Sequence, residues 1–224
     1  MVQQLTSPRL LPGHTYPMSL EEYRNLGDIE GLQVEWVDGE AIVFMSVLKR
    51  HALMTAFLVR LFGGFVDLFD LGDIFSEQFG MLVPTRPSVR LPDMFIVLKE
   101  HRDRVEREWF VGGADFVAEV GSEDSLTRDR RDKYLEFQAA GSREYLWVEG
   151  REGHTGFDFF RLDHAGSYQP VQPDEQGRYH SEVLPGFWFD PAWLEQDPLP
   201  NPLHLLKLIA PDAWRRFLAG EPLA

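Results

Sequence analysis

Arg90-Leu91-Pro92-Asp93-Met94-Phe95-Ile96-Val97 and Phe116-Val117-Ala118-Glu119-Val120 carry most of the structural information in this chain. Both are short apolar runs of the kind that forms central, doubly covered strands, expected here over Asp93 to Leu98 and Ala114 to Val120. Each also holds one carboxylate. Asp93 stands at the mouth of its strand, directly after a proline that fixes the entering backbone. Glu119 lies inside its strand between Ala118 and Val120, where a buried carboxylate needs a cation or several hydrogen bonds. If the two strands are neighbours, Asp93 and Glu119 can share one hard divalent cation. The Val120 carbonyl would be a third oxygen and waters would fill the octahedron, which makes magnesium the natural occupant.

Working outward, Thr127 to Ala140 reads as a helix stopped by Gly141, with Tyr134, Leu135, Phe137 and Gln138 turning inward. Lys133 lies on its first half, near the apolar boundary. From there it can reach back over the sheet edge to position an attacking water or stabilise charge on a phosphoryl group. Its structural alternative is an i,i+4 pair with Asp129 on a solvated face. A strand follows at Glu144 to Glu149. On the other side, Ile74 to Val83 is expected as a further strand, and His51 to Phe69 as a long helix with a broad apolar stripe. Gln33 to Ser46 alternates around Asp38-Gly39, the signature of a hairpin. Lys99 to Glu108 is too charged for core.

At the ends, residues 1–18 read as an extended arm, followed by Ser19-Leu20-Glu21-Glu22, a capping box that should open a short helix. Phe157 to Leu162, Ser167 to Val171 and Tyr179 to Leu184 read as short antiparallel strands. Residues 191–224 form a Pro-rich tail, helical around Leu203 to Leu218, packed on the same domain. The fold class is therefore α/β, a mixed sheet flanked by helices.

Composition bounds the possibilities. The 224 residues contain no cysteine, which removes disulfides, thiol nucleophiles and thiolate zinc sites, and makes a cytoplasmic location the expectation. The longest stretch free of Lys, Arg, Asp and Glu is Leu10 to Leu20, too short to span a bilayer, and the N-terminus lacks signal-peptide character. Net charge is −14, so a polyanion is repelled at long range. That charge is uneven: Arg86 to Arg143 carries 11 bases and 12 acids, leaving −13 for the remaining residues. No Walker A loop, GxGxxG, GxSxG or HExxH is present, and the scattered histidines have no metal-ligand spacing.

The run PD, strand, EV-x-S, then R-D-x-x-x-K-Y-x-x-F-x-x-x-G-x-x-E-Y-x-W-V, resembles the Uma-two family, a branch of the PD-(D/E)XK nuclease superfamily. Val34-Glu35-Trp36-Val37-Asp38-Gly39-Glu40 followed by His51 is similar to that family's N-terminal signature. The resemblance spans about residues 18–190. It implies a restriction-endonuclease-like fold over residues 19–190 with an N-terminal hairpin extension. It further implies magnesium-dependent phosphodiester hydrolysis, with manganese as a possible substitute, and a metal site made by Asp93 and Glu119. The lysine that many such nucleases carry two residues after the second acid is absent, since Gly121 stands there, and the resemblance gives its role to Lys133. Glu35 is a further acidic candidate, with a solvent-facing hairpin charge as its alternative. His51 matches the family's histidine at the start of the long helix, where local hydrogen bonding is the simpler role. Ser142, Leu146 and Glu149 depart from the family's Val, Trp and Asp and read as packing changes.

The expected substrate is nucleic acid, DNA before RNA, bound weakly and with strong salt dependence. The competing readings are a catalytically silent nuclease-fold module for oligomerisation or protein binding, and a hydrolase of a smaller phosphate ester. A homodimer is expected for double-strand cleavage; Phe187, Trp188, Phe189 and Trp193 could serve its interface, with core packing the favoured use of most of them.

Overall fold

The computed structural model describes residues 10–26, 29, 32–45, 49–76, 79–84, 87–121, 128–151, 154 and 156–221, apart from the side chains of residues 45, 128 and 129. Two mixed six-stranded sheets organise it. The main sheet runs, from edge to edge, β12 (Tyr168–Pro170), β11 (Phe157–Leu162), β10 (Glu144–Glu149), β9 (Phe116–Gly121), β7 (Met94–Leu98) and β4 (Gly72–Phe75). Only β9 and β10 are parallel within it, and the helix α3 (Arg128–Ala140) lies between them in the chain. The second sheet runs β1 (Thr15–Pro17), β3 (Glu40–Met45), β2 (Leu32–Val37), β6 (Ser88–Arg90), β5 (Gly80–Val83) and β8 (Trp109–Val111). Among the described residues there are also a small ribbon, β13 (Tyr179–His180) with β14 (Trp188–Phe189), four further α-helices, α1 (Leu20–Arg24), α2 (Lys49–Leu68), α4 (Pro202–Ile209) and α5 (Pro211–Leu218), and 3-10 turns at Lys99–Arg104 and Pro191–Glu195.

Period-two alternation decides what each face of the main sheet buries. Met94, Ile96, Phe116, Ala118, Val120, Leu146 and Val148 point to one side. There they meet Phe57, Leu58, Leu61, Phe62 and Phe65 of α2, and Leu205 and Leu206 of α4. Phe95, Val97, Val117, Tyr145 and Trp147 point the other way, onto Phe137 of α3 and Met81 and Val83 of the second sheet. Every residue of β7 and β9 is buried, which explains why both read as continuous apolar runs. By length and composition α2 could cross a bilayer, yet its apolar stripe is the centre of this core.

Local signals behave as their chemistry dictates. Ser19 and Glu22 form both halves of the capping box. Asp38 and Gly39 take φ of 50° and 87° at the hairpin turn, a conformation that Asp and Gly tolerate. Gly141 ends α3 at φ 84° in a Schellman motif, with Ser142 N–H donating to the Phe137 carbonyl and Gly141 N–H to that of Gln138. Lys99–Arg104 is a 3-10 turn with no buried residue.

Two expectations need correction. Ile74 to Val83 is not one strand: β4 borders the main sheet beside β7, whereas β5 joins β6 and β8 in the second. The alternation runs on across a chain that changes sheets, so periodicity alone cannot detect the break. Tyr179 to Leu184 is a strand only at Tyr179–His180, after which Val183 and Leu184 enter the core from a turn. Of the two uses open to the C-terminal aromatics, core packing is the one observed: Phe187, Phe189 and Trp193 are buried in the cluster that α2 centres, and Trp188 packs at its margin. The arm is also partly ordered into the sheet, since Thr15–Pro17 pairs with Glu40–Ile42.

Candidate active site

The antiparallel register of β7 and β9 places Met94 opposite Ala118, so the next step toward the mouth of β7 brings Asp93 level with Glu119. Asp93 Oδ2 accepts a hydrogen bond of 2.7 Å from the Val120 N–H, which fixes its carboxylate over the peptide that follows Glu119. The same oxygen lies 3.3 Å from His51 Nε2. His51 sits in the first turn of α2 and is buried, so it ties the start of that helix to the strand mouth rather than bonding only within its own turn. Asp93 and Glu119 thus stand level on neighbouring strands at the end of the main sheet where β9 and β10 finish and α2 begins.

Glu119 shares the parity of Val117 and therefore faces α3. Lys133, on the second turn of α3, brings its ammonium to 3.2 Å from Glu119 Oε2. The same ammonium lies 3.3 Å from Glu35 Oε1. Glu35 is not a solvent-facing hairpin charge, because only 3% of it is exposed and it points from β2 into the space between the sheets. Its Oε1 also accepts from the Leu91 N–H at 3.1 Å, and its Oε2 from Arg90 Nη1 at 2.8 Å. Arg90 in turn grips Glu136 with two further donors, Nε to Oε2 at 2.6 Å and Nη2 to Oε1 at 2.8 Å. Ser88 adds a hydroxyl donor to Glu136 at 3.3 Å.

The electrostatics follow from this geometry. Burial alone raises the Glu35 pKa, but the positive charges of Lys133 and Arg90, with the Arg90 and Leu91 hydrogen bonds, hold it net below the ordinary carboxylate value. Desolvation likewise disfavours the Arg90 cation, yet Glu35 and Glu136 push its pKa well above the usual guanidinium value. Glu35 therefore carries its charge at neutral pH, and Arg90 never loses its own.

Gly121 occupies the position where a lysine would stand two residues after the second acid, and the packing gives the reason for its absence. A Cβ there would lie 2.6 Å from Cζ2 of Trp147, closer than real Cβ contacts allow. Trp147 pairs with Glu119 across β9 and β10 and carries the Arg130 guanidinium 3.7 Å from its ring centroid. Arg130 is also paired with Asp158. The indole fills the room a strand lysine would need, and the ammonium arrives from α3. The side chain of Asp129, the alternative partner of Lys133, lies outside the described residues. Of the three departures, Leu146 is core, Ser142 belongs to the Schellman cap of α3, and Glu149 forms an ion pair with Arg151 at the same sheet end.

The structure thus brings Asp93, Glu119, Lys133, Glu35 and His51 together. Sequence reading missed Arg90, Glu136 and Ser88. The signal for Glu136 was present, since Lys133, Glu136 and Phe137 share one helix face at i, i+3 and i+4. Nothing local distinguished Arg90, whose partners lie 46 and 55 residues away in sequence.

The profile of the Uma2 family, described as "Putative restriction endonuclease", matches residues 20–192. The chain belongs to the Uma2 family. Among solved structures, it is similar to "a putative nuclease belonging to DUF820" from Anabaena variabilis ATCC 29413, at 15% identity and a TM-score of 0.63. That match covers 80% of this chain and 97% of the other, and it establishes a shared fold. A search of curated proteins gives no match.

Asp93 and Glu119 offer oxygen donors, the type of ligand that hard cations take. Among the described residues no three or more His, Asp or Glu side chains form a group able to hold an ion. Magnesium commonly binds through one or two carboxylates, with water and substrate phosphate completing its shell, so a two-carboxylate site at a sheet end is compatible with it.

Proposed function

We propose that this Uma2 protein is a magnesium-dependent nuclease hydrolysing phosphodiester bonds of nucleic acid, DNA before RNA, with manganese able to replace magnesium. The observation that carries the reading is one contact: a lysine ammonium from α3 set 3.2 Å from a strand glutamate whose neighbouring peptide is hydrogen-bonded by Asp93. Asp93 and Glu119 would hold the cation, with the Val120 carbonyl as a main-chain oxygen. Bound there, the ion would polarise the phosphoryl group and favour hydroxide over water.

The chain's own residues do the rest. Lys133 presents a positive charge where negative charge grows on the phosphoryl oxygens, and can hold an attacking water by hydrogen bonding. Glu35 fixes that ammonium and, through the Leu91 N–H, the turn that delivers Asp93. His51 steadies the Asp93 carboxylate from α2. The surplus of acids elsewhere in the chain favours weak, salt-sensitive substrate binding. Double-strand cleavage would call for a two-fold pair of chains, using a surface other than the buried aromatics near Phe187.

The test is incubation of purified protein with supercoiled plasmid, single-stranded DNA and RNA in magnesium, manganese or chelator, beside Glu119→Ala. Metal-dependent cleavage that Glu119→Ala loses supports the proposal. Folded protein that cuts none of these substrates with either metal contradicts it and favours a silent binding module. Turnover of a small phosphodiester alone would assign a smaller substrate.

A further inference from the structure

The second sheet offers more than cover for the core. Lys133 is nearly equidistant from two carboxylates, 3.2 Å from Glu119 and 3.3 Å from Glu35. Two buried acids compete for one ammonium, and the carboxylate less neutralised by its other partners attracts it more strongly. What keeps the competition even is on the other side of Glu35. Arg90 Nη1 takes Oε2 of Glu35 and partly neutralises it, leaving Oε1 to Lys133 and the Leu91 N–H. Arg90 is itself held by a two-pronged contact to Glu136, three residues beyond Lys133 on α3.

We infer that Arg90, gripped by Glu136, is a positioning residue that divides Lys133 between Glu35 and Glu119 and so keeps the ammonium at the metal-side carboxylate. The functional consequence rests on the nuclease reading, whereas the placement of Lys133 does not. Two effects act together. Electrostatically, Arg90 weakens the claim of Glu35 on Lys133. Mechanically, the planar fork of the guanidinium fixes α3 against β6 at the helical turn that carries Lys133, a grip that a lysine at position 90 cannot reproduce. Without the fork, Glu35 becomes the stronger partner and Lys133 withdraws from Glu119.

The experiment reads the Lys133 ammonium directly by 1H-15N NMR of lysine side chains, assigned with Lys133→Met. In the wild type, Glu35→Gln and Glu119→Gln should both displace its resonance. In an Arg90→Lys background, Glu35→Gln should still do so and Glu119→Gln should not. Glu35→Gln alone should increase the response to loss of Glu119, which tests the sharing without touching Arg90 should Arg90→Lys fail to fold. With saturating plasmid and magnesium, Arg90→Lys should lower kcat at least tenfold while KM and the affinity for Mn2+ alone stay within twofold. An unchanged response to Glu119→Gln in folded Arg90→Lys, or no change in that response on Glu35→Gln, overturns the inference. If wild-type protein cuts nothing, the NMR arm still decides the positioning and only the nuclease reading falls.

Discussion

Strand β9 is bracketed by two buried acids, Asp115 just before it and Glu119 near its end, and they are held in different ways. Asp115 accepts from the Leu98 N–H at 2.8 Å, His101 Nδ1 at 2.9 Å and Arg143 Nη1 at 3.2 Å. Its two side-chain partners come from the nearby surface and are 34% and 46% exposed. The arrangement ties the 3-10 turn and the entry to β10 onto the sheet. Glu119 instead meets an ammonium that is itself anchored to Glu35 of the second sheet, where Arg90 joins Glu35 to Glu136 back on α3. Burial of an acid is common to both ends. What differs is that one end is closed by the main sheet and the turns beside it, while the other is joined to the second sheet around a strand mouth that also carries Asp93.

Substituting the two acids should separate these roles most sharply. Glu119→Ala should lower plasmid cleavage by about 10²–10³-fold or more, whereas Asp115→Asn should leave kcat within a few-fold and cost about 1–3 kcal/mol of stability by denaturant titration. Equal losses of activity at both positions would erase the contrast.

The next effect concerns Lys133. Lys133→Met should reduce kcat by about 10²-fold while metal affinity persists, since neither carboxylate is removed. Adding Gly121→Lys should not restore activity, because the new side chain collides with Trp147 and overpacking costs about 1–3 kcal/mol. Restored turnover in that double variant, measured on plasmid at saturation, would show that the strand position is free to hold the lysine after all.

The smallest effect is on the acid limb of stability. The Glu35 pKa is lowered on folding, so its pairing stabilises the protein fully above the ordinary carboxylate range, and that contribution is lost as pH falls through the lowered folded value. Glu35→Gln should therefore flatten the decline in stability below about pH 4.5 and change its slope little at neutral pH. A variant with the wild-type slope throughout would place the acid sensitivity elsewhere.

How much of this was legible in the sequence depends on the range over which each residue acts. β7, β9, α3 and the hairpin announce themselves through apolar runs, helical spacing and turn chemistry, all of which act within a few residues. Glu119 stands out as a charge inside an apolar strand and Asp93 as a carboxylate at a strand mouth, whereas Lys133 lies in a charged run and is singled out by the family resemblance. The second sheet was not. Ser88–Arg90 and Trp109–Val111 are three-residue strands, too short to set up a period, and β5 continues the alternation of β4 while belonging to another sheet. Arg90 looks like a surface charge in a region of mixed sign, and only the fold reveals that it faces Glu136, the two side chains being 3% and 1% exposed.

Cation binding by Asp93 and Glu119 is read by calorimetric titration of magnesium or manganese into matched, folded proteins. One divalent-cation site per chain is expected in the wild type and in Asp115→Asn, and its loss in Asp93→Asn and in Glu119→Gln. A wild type that binds no ion, or a Glu119→Gln variant that binds it as tightly as the wild type, would contradict the assignment of this sheet end as a metal-dependent active site.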